Sequence, residues 1–347
     1  MTASSRVLVA DLMAQAPAWR LPSWAPARLR AAAPPGWEVR VLTSPTISDG
    51  DGAARPSAEA VAAVRDAEAY AGFGVPAPLL EAAPKLRWVH TATAGVGGLL
   101  TPTLRARDLR LTNSAGVHAV PIAEYVLAGV LHFLRGLDVA LHQQREGRWE
   151  REPFVGANSE VRELGECRAL IVGTGGIGVA VAERFSALGV RCTGIRRRPE
   201  LPEPPGFERV LGYDALDEAL AEAELLVLAA PLTAETRGLI GGARLDRLPP
   251  GAIVANVARG ALLDEGALAE RLVTGALRGA VLDVFDREPL APESPLWTAR
   301  RVLVTPHVSA VSPRRFWERE LALLLDNWAR YDAGAPLRNL VDQDAGY

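Results

Sequence analysis

The sequence predicts an α/β fold of two doubly wound parallel-sheet domains, and three observations predict it. Short β-branched or apolar runs alternate with helix-patterned segments along nearly the whole chain, which implies parallel strands joined by helical crossovers. Just past the midpoint, Leu170-Ile171-Val172 turns into Gly173-Thr174-Gly175-Gly176-Ile177-Gly178, a G-x-G-x-x-G turn followed by a helical pattern. A length of 347 residues favours two domains over one.

Composition narrows the class. The chain is 49% hydrophobic and 23% charged, with a mean hydropathy of +0.09 and a net charge of -3, an ordinary globular balance. A pI near 6.0 argues against a nucleic-acid partner, which would call for a basic face. No run approaches the ~20 apolar residues of a membrane span, and Met1 to Ala10 lacks the long apolar core of a signal peptide, so the expected location is the cytoplasm. Cys167 and Cys192 have no metal-ligand spacing, no metal is expected, and both read as strand packing. Lys85 is the single lysine and lies in no catalytic context, which removes Schiff-base chemistry.

In chain order, Val7 to Ala10, Val39 to Leu42, Ala67 to Ala71, Leu86 to His90 and Leu109 to Thr112 read as strands of a first domain. Ser57 to Arg65 and Pro78 to Ala83 read as its helices, with start signals at Ser57 and Pro78. Directly after the Leu86 to His90 run, Thr91 to Leu100 is a glycine-rich loop holding Gly95 and Val96, placed where a sheet presents main-chain amides to an anion. Pro121 to about Arg145 reads as one long amphipathic helix, suited to a hinge or a subunit interface. His118, His132 and His142 lie on or near it without a carboxylate partner at fixed offset, so structural roles are expected.

The glycine turn then opens a βαβ unit. Ala169 to Val172 is the strand, Val179 to Leu188 the helix and Val190 to Ile195 the second strand, so the pattern reads as a Rossmann dinucleotide-binding domain. Gly173 permits the turn, Gly175 lets a pyrophosphate approach the main chain, and Gly178 lets the helix pack close to the strand. An NAD site places an acid about 20 residues beyond the glycines. Here that place reads Gly194-Ile195-Arg196-Arg197-Arg198, so Arg196 and Arg197 point to a 2′-phosphate and to NADP in preference to NAD. Further runs at Leu225 to Leu228, Gly251 to Asn256, Gly279 to Phe285 and Val302 to Thr305 end in Thr233, Arg259, Asp283 and His307, which are expected to face one crevice. The chain ends in a helix over Phe316 to Trp328 and a tail from Leu337.

Three of these residues suit hydride transfer between a nicotinamide and a 2-oxo or 2-hydroxy acid. Arg259 offers a planar fork of donors for a carboxylate or a developing oxyanion. His307 is an acid or base for work near neutral pH, and Glu288, in the loop after the Asp283 strand, can reach it.

Ala94-Gly95-Val96, Thr112 to His118, Gly173 to Gly178, Asn256 to Gly260, Asp283 to Phe285 with Glu288-Pro289, and Thr305 to Ser309 together resemble the D-isomer-specific 2-hydroxyacid dehydrogenase family. The resemblance follows one order from about Val7 to the tail, is weakest before Leu86, and is nearest to the NADP-preferring glyoxylate and hydroxypyruvate reductases. It implies a flavodoxin-like substrate-binding domain from residues 1–118 and 308–347 and a Rossmann domain from 119–307 inserted into it, with the active site in the cleft. It implies Arg259 for the substrate carboxylate and carbonyl, Glu288 and His307 as the acid/base dyad, and the Gly95 and Val96 amides for the carboxylate. Cofactor contacts are implied at Gly176, Ile177, Pro231, Thr236, Ala258 and Asp283, and a homodimer through the long helix. The expected activity is reduction of a small 2-oxo acid such as glyoxylate or hydroxypyruvate to the D-hydroxy acid. The alternative, suggested by corepressor relatives, is a non-catalytic dinucleotide-sensing protein that acts through protein interaction.

Overall fold

The computed structural model describes residues 6–44, 47–48 and 54–346. Met1 to Ser5, part of both the first expected domain and the stretch read against a signal peptide, lies outside them, as does Tyr347. The chain divides into two compact units, Met1–His118 with Val311–Tyr347, and Ala119–Ala310.

In the unit made of both chain ends, β1 (Arg6–Asp11), β2 (Trp37–Val41), β3 (Ala69–Gly72), β4 (Trp88–Thr91) and β5 (Arg110–Asn113) form one sheet. All its pairs are parallel and the order is β2-β1-β3-β4-β5, that of a flavodoxin-like sheet. Alternate residues serve opposite faces: Val7, Val9, Tyr70 and Val89 enter one core cluster, while Leu8, Ala10, Ala69, Ala71 and Trp88 enter the other. The helix Phe316–Asp332 shares that second core through Phe316, Trp317, Leu321, Leu324 and Trp328. Ser57 caps the helix Ala58–Ala63, its hydroxyl accepting from the Ala60 N–H at 3.1 Å.

The second unit carries β6 (Arg168–Val172), β7 (Arg191–Ile195), β8 (Arg209–Leu211), β9 (Leu225–Leu228), β10 (Ala252–Asn256), β11 (Leu277–Leu282) and β12 (Val302–Val304). They pair in parallel in the order β8-β7-β6-β9-β10-β11-β12, and the order reverses between β6 and β9. This is the Rossmann order, and ligands sit outside the strand ends at the reversal. Strand β8 has no signal in the sequence, because three residues are too few to show a period.

The single helix expected over residues 121–145 is two, Ala119–Leu134 and Leu137–Glu146, bent by 67°. Gly136 stands at the break with φ 66°, a left-handed conformation that ends an α-helix and that glycine adopts without steric cost. Among the described residues no single helix is long and apolar enough to cross a membrane. Cys167 and Cys192 are buried and unbridged, and burial pushes both thiols up, that of Cys192 to about 12.

Candidate active site

At the end of β6 the main chain itself is the functional surface. Gly173 has φ 102° and donates its N–H to the Ile195 carbonyl at 2.8 Å. A Cβ there would lie 2.6 Å from the Ala229–Ala230 main chain, and one on Gly178 would lie 1.9 Å from the Gly173 oxygen. A Cβ on Gly175 would meet nothing within 4 Å. Gly173 and Gly178 are therefore demanded by packing, whereas Gly175 leaves open an approach to the main chain just before the helix Gly176–Ala187. First-turn N–H groups of a helix lack intrahelical acceptors and carry the positive end of its dipole, so the residues present fit a dinucleotide pyrophosphate.

The arginines after β7 divide their tasks. Arg196 donates from Nη2 to the carbonyl oxygens of Pro199, Leu201 and Pro202, so it braces its own loop. Arg197 instead lines an open cavity of ≈ 420 Å³ with Pro199, Tyr213, Asp214, Glu235 and Arg244. Of the two guanidiniums expected at a 2′-phosphate, that of Arg196 is tied through Nη2 to its own loop.

The next strand end is also folded on itself. Thr236 is 3% exposed, and its hydroxyl donates to the Pro231 carbonyl at 2.7 Å and accepts from the Thr233 N–H at 2.8 Å. Pro231 is exposed, so it offers the outer surface of a loop that Thr236 staples from within.

The side-chain chemistry gathers after β10, β11 and β12. Buried Asn256 ends β10, accepting from the Ala258 N–H at 3.1 Å and donating to the Arg259 carbonyl at 3.0 Å, which sets the turn that presents Arg259. A Cβ on Gly260 would lie 1.8 Å from the Phe285 carbonyl carbon and 2.0 Å from the Asp286 nitrogen. The loops carrying Arg259 and Glu288 therefore touch main chain to main chain. Glu288 accepts the Phe285 N–H on Oε1 at 3.0 Å, and its Oε2 lies 2.8 Å from His307 Nδ1. An ionised carboxylate only accepts, so Nδ1 carries the proton of that bond. Behind the same loop, Glu265 accepts the Asp286 N–H at 2.6 Å, and burial raises its carboxyl above the usual range.

His307 itself has φ 53°, rare for a residue with a side chain. Four strand ends were expected to face one crevice. Arg259 is part-exposed and His307 exposed, but Thr233 pairs its hydroxyl with Thr236, and Asp283 is fully buried with both carboxylate oxygens engaged by the loop that carries His307. Asp283, expected beside the nicotinamide, turns its carboxylate to that loop.

In the other unit, Gly95 and Val96 follow β4 in a loop held from below. Thr93 donates to the Gly95 carbonyl and Asn113 to that of Ala94, each at 2.9 Å, and the Val96 side chain is 3% exposed in the core. Phe73 is core, edge-on to Trp317 at 6.2 Å. Trp297 is half exposed. His118 stacks on Phe316, and His142, expected to have no carboxylate partner at fixed offset, lies 3.2 Å from Glu146 one helical turn on.

Residues 127–309 match the model of the family described as D-isomer specific 2-hydroxyacid dehydrogenase, NAD binding domain. A glyoxylate reductase of Korarchaeum cryptofilum is 33% identical over 279 residues, 78% of this chain and 80% of that protein. A D-3-phosphoglycerate dehydrogenase of Archaeoglobus fulgidus is 30% identical over 270 residues, 77% of this chain, and the match spans 49% of that longer protein. A D-isomer specific 2-hydroxyacid dehydrogenase from Xanthobacter autotrophicus Py2, crystallised with NADPH and MES, superimposes with a TM-score of 0.78 at 32% identity, covering 99% of this chain and 100% of that one. An NADPH-dependent glyoxylate/hydroxypyruvate reductase from Sinorhizobium meliloti, crystallised with NADP and sulfate, gives 0.77 at 28% identity, covering 99% and 100%.

Proposed function

The chain belongs to the D-isomer-specific 2-hydroxyacid dehydrogenase family, and from that premise we propose that it reduces a small 2-oxo acid such as glyoxylate or hydroxypyruvate to the D-hydroxy acid, with NADPH preferred over NADH. The observation that carries this reading is the 2.8 Å contact of His307 Nδ1 with Glu288, on strand ends of the unit that also bears the glycine fingerprint.

When bound, the reduced nicotinamide supplies the hydride. Gly173 to Gly178 would hold its pyrophosphate, with Pro231 and Ala258 along its length, and Arg197 would meet the 2′-phosphate of NADPH. With Nδ1 held by Glu288, His307 Nε2 is the ring nitrogen that gives its proton to the substrate carbonyl oxygen. Arg259 binds the substrate carboxylate and the oxygen on which charge develops, and the Gly95 and Val96 amides are donors of the kind that suits a carboxylate. The use of NADPH is supported by the two relatives crystallised with it or with NADP. We assign the protein to the cytoplasm, as a homodimer built on the helices Ala119–Leu134 and Leu137–Glu146, which leave Val120, Leu137 and Leu141 exposed.

The test is a panel of glyoxylate, hydroxypyruvate, pyruvate and phenylpyruvate against NADPH and NADH, read as loss of reduced-nicotinamide absorbance. Turnover with glyoxylate or hydroxypyruvate, faster with NADPH, is the expected result. A flat trace from protein that binds NADPH would replace this reading with the dinucleotide-sensing one.

A further inference from the structure

We propose that Tyr125 and Thr305 are positioning residues which, through Asp283, hold the His307 loop in the backbone conformation that sets its ring against Glu288; this rests on the role given to His307 above. A left-handed residue with a side chain persists only where its surroundings over-determine it. Those surroundings are visible. The His307 N–H donates to the Asp283 carbonyl at 2.9 Å and to that of Thr305 at 3.1 Å. The Asp283 carboxylate takes three more donors: the Thr305 hydroxyl at 2.6 Å and the Val308 N–H at 2.8 Å on Oδ1, and the Ser309 N–H at 2.9 Å on Oδ2.

The Thr305 hydroxyl has one proton, and Asp283 takes it. The Tyr125 hydroxyl, 2.7 Å from Thr305 Oγ1, must then be the donor of their contact. Burial and the nearby Asp283 charge push the Tyr125 phenol up to about 12, so it keeps that proton at any working pH. Tyr125 sits on the helix Ala119–Leu134, whose Ile122, Ala123 and Val126 are buried in the core. The loop of the acid is thus tied to a packed helix by a directed line of donors, Tyr125 to Thr305 to Asp283, between residues far apart in sequence. None of the three touches the reacting atoms in this reading.

The experiment labels histidine with 13C and 15N in the full chain, identifies the His307 ring signal by its loss in His307→Gln, and compares Tyr125→Phe, Thr305→Val and Thr305→Ser. In Tyr125→Phe and Thr305→Val the His307 signal should broaden or split, and kcat for glyoxylate should fall about tenfold while the KM for NADPH holds. Thr305→Ser keeps the hydroxyl and should restore both. An unchanged His307 signal in folded Tyr125→Phe and Thr305→Val overturns the proposal, whatever turnover does. If the wild-type protein reduces no 2-oxo acid, the functional reading fails by itself and the ring signal still decides whether the line holds His307.

Discussion

The two sides of the Ala119–Ala310 sheet finish their strands in different materials. At β6 the chain leaves the sheet as bare main chain, and what matters is the absence of Cβ atoms at Gly173, Gly175 and Gly178. At β10 to β12 it leaves as Arg259, Glu288 and His307, side chains that work only if other residues aim them. A surface made of absences is damaged by any addition within its reach. A surface made of aimed groups is damaged by loosening whatever aims them, even at a distance.

The largest expected break in this contrast is His307→Ala. Turnover should fall about 10²- to 10⁴-fold while the NADPH Kd, read by fluorescence titration, stays within about twofold. Equal losses in both would mean that the two sides act as one.

Within the glycine side, Gly178→Ala puts a methyl 1.9 Å from the Gly173 oxygen and should lower stability by about 3 kcal/mol in a denaturant melt. Gly175→Ala meets no protein atom within 4 Å, so it should leave the melt nearly unchanged and raise the NADPH Kd about tenfold. The reverse pattern would show that Gly175 is the structural glycine.

Between the arginines, Arg197→Asp should lower the ratio of kcat/KM for NADPH over NADH about tenfold, with Arg196→Asp doing less to the ratio and more to the melt. The smallest effect falls in the other unit and calibrates the rest. The Arg6 guanidinium, assisted by the Tyr331 hydroxyl, holds the Glu68 carboxyl below the usual carboxylate range. Its contribution is therefore complete above the ordinary glutamate pKa of about 4.3 and is lost as pH falls through the depressed value. Glu68→Gln should cost about 1 kcal/mol at pH 7, and the deficit should shrink on acidification while turnover per folded molecule stays level.

Legibility followed the same division. The fingerprint is local, because the steric demands on Gly173 and Gly178 come from chain segments that any strand-turn-helix brings together. Arg259, Glu288 and His307 could be named because a doubly wound sheet delivers its strand ends to one side, and Glu288 and His307 meet at 2.8 Å. What could not be read was the work done across long separations. Tyr125 meets Thr305, 180 residues on in sequence, and no period or spacing signals it. Asn256 and Gly260 stood inside a quoted motif, yet their reasons, a turn brace and a main-chain contact, belong to the folded neighbours. Gly136 is hidden in the sequence because one glycine inside an apolar period leaves the period intact, although it ends the helix.

The buried, unbridged cysteines have a consequence for handling the protein. With both thiols out of solvent and shifted away from ionisation, Cys167 and Cys192 leave the native chain nearly silent to maleimide and to mild oxidants. Lys85 is its one lysine side chain. A cysteine introduced on each unit would then take a dye pair with little background, turning the molecule into a ruler whose reading with and without NADPH reports any movement between the units in solution.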